Sequence, residues 1–365
     1  MADAPKSNPH ETGPDETVPH KTVQDVSGLR EIAYAPYRDP EEFITEWTDR
    51  IWVRRGVGLI RENYAADSIV HGAYGTVRGV EPVVSSTLQK ISAFPDRVGQ
   101  ADDVVWEARG DDAFVSSHRV FSAGTHTGVS GYGPPTHRPF VSRTIATCLY
   151  RRGVMEEEWV VRDELAVVRQ LGLDPDAVAR RLAFPAGGGR ILGDPPAAPL
   201  TAGDSGARPA GGARRGECEH ALELIEEVWN GRRLDRVTGF VARDVTCHTT
   251  GHRDVIRPDG YQRALLDLLA PFPDGRIEIR DVAAHESAPH GGVRVGVVWF
   301  LRGTYGGTPR YGAPTGSPVE VLGASQFLFR DGRIVREWRI YDEISVLAQI
   351  AHARGDEPSE PSDPA

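Results

Sequence analysis

Apolar residues recur along the chain with two periods, and each period occurs in two separate blocks. In the first block Phe43, Trp47 and Ile51 fall at i, i+4 and i+8. They follow Asp39-Pro40-Glu41-Glu42, a capping residue, a first-turn proline and acids at the positive end of a helix. Leu222, Ile225 and Val228 form a similar stripe between Ala221 and Trp229. Second helices are predicted over 81–93 and 259–270, the latter from the spacing of Leu265, Leu268 and Leu269. The pattern then turns β-rich, with runs around 102–108, 113–126, 139–150 and 154–163, and around 276–284, 292–303, 318–329 and 333–342. Gly153 and Asp331-Gly332 mark hairpin turns before the last strand of each set. Helices followed by a strand meander indicate an α+β class, with helices packed on one face of a curved antiparallel sheet.

The two blocks are copies of each other. Asp67 and His71 match Asp244 and His248 at an offset of 177, and Phe94-Pro95-Asp96 matches Phe272-Pro273-Asp274 at 178. Pro135-Thr136, Gly153, Glu158-Trp159, Asp163-Glu164 and Gln170 match Pro314-Thr315, Gly332, Glu337-Trp338, Asp342-Glu343 and Gln349 at 179. Matches in constant order and spacing identify a tandem duplication. The expected division is a polar tail over 1–28, domains over 29–184 and 217–353, a Gly/Pro-rich linker over 185–216 and a short tail over 354–365.

Charge and composition narrow the partners. Lys and Arg number 42 against 52 Asp and Glu, a net charge of −10, which argues against nucleic acid or an anionic membrane surface as partner. The densest apolar run, Val295 to Leu301, is strand-length, and the first 27 residues hold no apolar segment of a secretory signal. Three cysteines, Cys148, Cys218 and Cys247, cannot build a disulfide framework. The expectation is a cytoplasmic protein. Of the basic residues, three are lysine (Lys6, Lys21 and Lys90), a bias that fits a GC-rich bacterial genome.

Candidate chemistry concentrates on the last strand of each copy. Alternation puts Trp159, Val161 and Asp163 on one face, as it does Trp338, Ile340 and Asp342. The helix-covered face is expected to be this apolar one, which puts each Asp at the edge of a pocket lined by Trp and an aliphatic residue, where desolvation makes a carboxylate a general base. Each Asp also precedes Glu and an apolar periodic segment, the position of a helix cap, and the two roles can coexist. Glu158, Arg162, Arg339 and Tyr341 would then face outward. His71 and His248 are candidates for acid/base or hydrogen-bonding roles, with burial against backbone as the alternative. His118 and His126 add polar candidates in the first copy alone, and Tyr64 and Tyr74 cluster near His71. Trp106, Trp299 and Gln326 complete the expected pocket walls. Cys247, His248 and His252 resemble a metal run but draw on one place only, and Gly203-Asp204-Ser205-Gly206 and Gly187-Gly188-Gly189 fall in the linker.

Taken together, Gly124-Thr125-His126-Thr127-Gly128, Pro135-Thr136, Glu158-Trp159 with Asp163 four residues on, and Gln170-Leu171-Gly172 resemble the SnoaL-like polyketide cyclases of the nuclear-transport-factor-like superfamily. The second copy carries the same frame, so the resemblance covers about four-fifths of the chain. It implies two tandem cone-shaped α+β barrels and a cofactor-free acid/base site at each cone's mouth. It also implies a base at Asp163 and Asp342 that deprotonates an activated carbon for ring closure. The family's second residue, a His on a neighbouring strand, finds Thr147 and Leu149, or Gln326 and Leu328, at that spacing. Single-domain members pair through the sheet face away from the pocket, which the tandem would do within one chain, leaving a further homodimer open.

The expected function is a cyclase, isomerase, hydratase or lyase acting on a small organic substrate without metal or cofactor, with the first domain the more active half. Asp163 would be the base, His71 and His126 would orient or protonate, and Trp159 would line the pocket. The alternatives are a non-catalytic ligand-binding or scaffolding protein of the same fold and, more remotely, a metal-assisted hydrolase.

Overall fold

The computed structural model describes residues 28–183, 215–286 and 291–356; the expected tails and linker lie almost wholly outside them. In the first half, α1 (Pro40–Thr48), α2 (Ile60–Asn63), β1 (Tyr64–Gly72), β2 (Gly75–Arg78) and α3 (Val80–Ala93) come first. There follow the meander β3 (Val98–Ala108), β4 (Ala113–Thr125), β5 (Pro139–Arg151) and β6 (Val154–Arg162), then α4 (Glu164–Gln170) and α5 (Pro175–Ala183). The second half repeats the order with α6 (Arg215–Glu223), α7 (Val237–Phe240), β7 (Val241–Thr249), β8 (Arg253–Ile256) and α8 (Arg257–Leu269). It continues with β9 (Arg276–Glu286), β10 (Val293–Thr304), β11 (Pro318–Arg330), β12 (Arg333–Tyr341) and α9 (Glu343–Arg354). Among the described residues no helix is long and apolar enough to cross a membrane.

Each half is one six-stranded sheet, ordered β2-β1-β6-β5-β4-β3 and β8-β7-β12-β11-β10-β9, with helices covering its concave face. All neighbours are antiparallel except β1 with β6 and β7 with β12. The expected antiparallel sheet is therefore mixed, because those strands meet across the whole length of a domain and no hairpin dictates their direction.

The residues that repeat between the copies are mostly staples of this frame. Asp39, in the first copy alone, caps α1 by accepting the Glu42 N–H at 2.8 Å. Asp96 accepts the Thr125 N–H at 2.7 Å, and Asp274 does the same for Thr304 at 2.7 Å, tying the helix-to-sheet corner to the far end of the hairpin. Gln170 exchanges two hydrogen bonds with the Val141 backbone, and Gln349 two with that of Glu320. Gly128 and Gly307 each lie where a Cβ would strike a backbone carbonyl at the end of α3 or α8, that of Ser92 or Ala270. That close approach explains the glycine of both loops.

The two sheets pack back to back. Ile145, Trp159 and Val161 of the first domain meet Val298, Leu322 and Ile340 of the second, with Trp338 at the margin. Polar contacts frame this layer: Arg119 donates to Gln326 at 2.8 Å and lies 3.6 Å above the Trp338 ring, and Arg109 pairs with Asp281 at 2.9 Å. Alternation holds along β6 and β12, but the two faces lie the other way round from the expectation. The Trp159-Val161-Asp163 and Trp338-Ile340-Asp342 faces look into the domain interface, whereas Glu158, Arg162, Arg339 and Tyr341 look into the cones. Both faces of each sheet are covered, one by its own helices and one by the sister sheet. Apolar content therefore does not tell inside from outside.

Candidate active site

A cavity of about 670 Å³ occupies the first cone. Its floor is the concave face of the sheet, where three cross-strand rows lie side by side: Ser116-Cys148-Glu158, His118-Ala146-Val160 and Val120-Thr144-Arg162. Opposite, Val83, Thr87 and Lys90 come from one face of α3, as i, i+4 and i+7 spacing requires. The loop 126–136 and the β1–β2 turn close the rim, and Asp342 reaches in from the second domain.

Glu158, Lys90, His118 and Asp342 are displaced from their ordinary values here. Burial pushes the Glu158 carboxyl above the usual carboxylate range, against the pull of Arg162, Tyr64 and Lys90. The Tyr64 hydroxyl donates to Glu158 at 3.2 Å. Burial, then the like charges of Arg162 and Arg97, bring the Lys90 ammonium down to about 7. Burial alone brings His118 down to about 4, so its ring is neutral at neutral pH. Burial and then Glu164 push Asp342 well above the carboxylate range. The Tyr132 hydroxyl donates to Glu164.

The second cone has the same rows, and among the described residues fully buried side chains fill the space between them. Val295-Phe327-Glu337, Val297-Ser325-Arg339 and Trp299-Gly323-Tyr341 stand where the first cone has its three rows. Arg339 replaces Val160 and pairs with Glu337 at 2.7 Å, both fully buried, with its guanidinium 4.6 Å from the Trp229 ring and 4.9 Å from that of Tyr261. Trp299 replaces Val120 and donates to Ser325 at 3.2 Å. A Cβ at position 323 would overlap its ring, so Gly323, where the first cone has Thr144, is what admits the tryptophan. Aromatic and ion-paired side chains thus fill one cone while valine, alanine and threonine leave the other open.

The structure separates the residues singled out from the sequence into three groups. Tyr64, Tyr74, His118 and Asp342 line the first cavity. Asp163 does not: its buried carboxylate caps α4 through the Ala166 N–H at 3.3 Å and accepts from Thr250 Oγ1 at 3.0 Å and the N–H groups of Gly251 and His252 at 2.8 and 3.1 Å. Asp342 also caps, accepting the Ile344 and Ser345 N–H groups at 2.8 and 3.2 Å. His71 lies on the interface side, stacked on Trp159 with its Nε2 2.7 Å from Glu157, and His248 is stacked on Trp338 with its Nδ1 3.0 Å from Asp254. Gln326 donates to the Ser117 carbonyl across the domains at 2.8 Å, and Trp106 packs against His285 of the second domain. Trp299 is part of the filling of the second cone.

His126 takes an intermediate place. Its Nε2 is 2.9 Å from Ser130 Oγ and its Nδ1 3.3 Å from Thr136 Oγ1, so it braces the loop whose Ser130 and Tyr132 line the cavity. Lys90, Arg97, Arg162 and Glu164 were missed as site residues. The signal for Lys90 was present, since it is the one lysine of the described residues in an arginine-rich chain.

A family model of the SnoaL-like polyketide cyclases matches residues 42–171 and again residues 219–350. No curated protein matches the chain. Among solved structures, a SnoaL-like polyketide cyclase of Jannaschia sp. CCS1 is 21% identical over 37% of this chain and 90% of its own, with a TM-score of 0.32. A polyketide cyclase of Acidithiobacillus ferrooxidans is 23% identical over 39% and 99%, at 0.34, and the polyketide cyclase IdmH of Streptomyces antibioticus 25% over 37% and 97%, at 0.30. With both halves matched, over more than half of its length, the chain belongs to the SnoaL-like polyketide cyclase family and carries two copies of the family's domain.

Proposed function

We propose that the first domain is an acid/base catalyst of the cyclase or isomerase type acting on a small organic carbonyl compound. The second domain is then a filled partner that steadies the first and lends it Asp342. The observation that carries this reading is the contrast between Glu158 and Glu337. They occupy the same row, yet Glu337 is neutralised by Arg339 while Glu158 faces an open cavity with its pKa raised.

In this reading Glu158 is the base. It takes a proton from a carbon beside a carbonyl, and the C–H electron pair moves onto the carbonyl oxygen as an enolate. Lys90, near neutrality in its proton affinity, donates to that oxygen. The enolate carbon then attacks a second carbonyl of the same substrate, whose oxygen takes the proton held by Glu158 as the ring closes; in an isomerisation the conjugated enolate takes that proton back at another carbon. Tyr64 orients Glu158. Asp163, whose carboxylate accepts from Thr250, Gly251 and His252 of the other domain, is a positioning residue that holds the two domains in register, and His126 positions the rim loop.

Deuterium exchange at the α-carbon of α-tetralones and acyclic diketones, followed by NMR, tests the proposal. The wild-type chain should accelerate exchange, and Glu158→Gln should slow it by roughly 10²–10⁴-fold without changing the fold. Exchange no faster than in buffer favours a non-catalytic ligand-binding cone, and acceleration equal in the two proteins removes Glu158 as the base.

A further inference from the structure

We infer that the substrate of the first cone carries an oxyanion, a carboxylate or a phosphate, bound between Arg97 and Arg162 with Lys90 beside them. The inference rests on the reading of the first cone as the working site. Three cationic side chains line one cavity. Among the described residues none of the three has a carboxylate at ion-pair distance. Arg97 donates to Ser122 Oγ at 2.9 Å and lies 4.7 Å over the Trp52 ring, which fixes its guanidinium without neutralising it. The cavity's own glutamates are engaged by phenols, Glu158 by Tyr64 and Glu164 by Tyr132.

Like charges held together away from bulk water repel, and burial costs each of them its hydration. The arrangement carries its own signature, since Arg162 is among the groups that depress both Lys90 and Arg97, the latter to about 10. An anion between the guanidiniums would offset these repulsions with attractions of its own, and the planar forks of arginine suit carboxylate and phosphate oxygens.

The second cone supplies the comparison. At the offsets of the duplication, Lys90, Arg97 and Arg162 correspond to Leu268, Gly275 and Tyr341. All three cations are lost together in the cone that is filled, while the frame residues around them persist. A charge cluster required by the fold would be present in both copies.

The test is calorimetric titration of the full chain with 1-hydroxy-2-naphthoate, 1-naphthyl phosphate and methyl 1-hydroxy-2-naphthoate. Arg162→Gln, Arg97→Gln and Arg162→Lys accompany the wild type, with a cone-filling variant, Val120→Trp with Thr144→Gly. The inference requires at least one acid to bind roughly ten-fold or more tightly than the ester. Either glutamine variant should erase that preference with ester binding intact, and Arg162→Lys should restore part of it. The order of the two acids then distinguishes carboxylate from phosphate. Equal binding of acids and ester that vanishes on filling the cone overturns the anion site and leaves the cone as ligand site. A preference that survives both glutamine variants likewise overturns the anion site. Binding that survives filling the cone, or no binding of any probe, overturns both.

Discussion

The carboxylate of Asp163 accepts the backbone N–H of Gly251 at 2.8 Å, so the last residue before α4 of the first domain is held by the β7–β8 turn of the second. The mirror relation puts the β1–β2 turn of the first domain beside Asp342, with Tyr74 facing that carboxyl where the first site has backbone donors. Each domain's cap thus lies against a turn of its sister, with hydrogen bonds across the domains at Asp163. Asp163→Asn should lower stability by about 1–3 kcal/mol, because an amide offers one acceptor oxygen to donors that now share a charged pair. Thermal unfolding checks this, alongside the α-proton exchange rate per folded molecule, which should be unchanged. A rate collapse with an unaltered melting temperature would restore Asp163 to the role of base.

Acid should weaken the protein through His118. Its folded pKa of about 4 lies below an unfolded value of about 6.5, so between those limits the unfolded chain takes up a proton that the native state refuses. Stability therefore falls as pH drops from about 6.5 to about 4, with a slope of up to about 1.4 kcal/mol per pH unit, and levels off below. Denaturant unfolding of wild type and His118→Gln at pH 7, 5.5 and 4.5 should show a gap that changes by this amount. Parallel curves would exclude His118 as the source.

Within the second cone the Arg339–Glu337 pair should behave as a unit. Arg339→Met strands a buried carboxylate and should cost about 3–5 kcal/mol, while adding Glu337→Gln should recover most of that loss. A double-mutant cycle by chemical denaturation measures the coupling. Additive losses would mean that the two charges are solvated independently.

Copying the closed cone into the open one is the converse experiment. Val120→Trp with Thr144→Gly recreates the Trp299/Gly323 pair and should leave the melting temperature close to wild type or above it. Ligand binding and α-proton exchange should disappear. Retained exchange in this variant would place the chemistry outside the first cone.

The duplication, the class of fold and the limits of most elements were legible along the chain because they rest on local matters: periodicity, caps, turn glycines and the repetition of all three. The identity of the working groups was less legible. The motifs that repeat, Phe94-Pro95-Asp96, Asp163 and Gln170 with their twins, attract attention, yet they are mainly staples of the frame, since duplication preserves what both copies need to fold. The proposed function draws on Glu158, which repeats as Glu337, and on positions that diverge around it: Lys90 against Leu268, Arg97 against Gly275, Val160 against Arg339 and Val120 against Trp299.

Sequence alone therefore determined that there are two cones of one family's fold, built in the same order, and offered Asp163 and Asp342 as starts of helices beside the role of base. Only the tertiary structure decided which face of β6 and β12 looks into a cone, because a sheet covered on both sides is apolar on both sides. It alone decided that one cone is open and the other filled, because that depends on the summed volume of side chains meeting from separate strands. It also brought Lys90 of a helix, Arg97 beyond it and Arg162 of the last strand around one space, a meeting that no local pattern encodes.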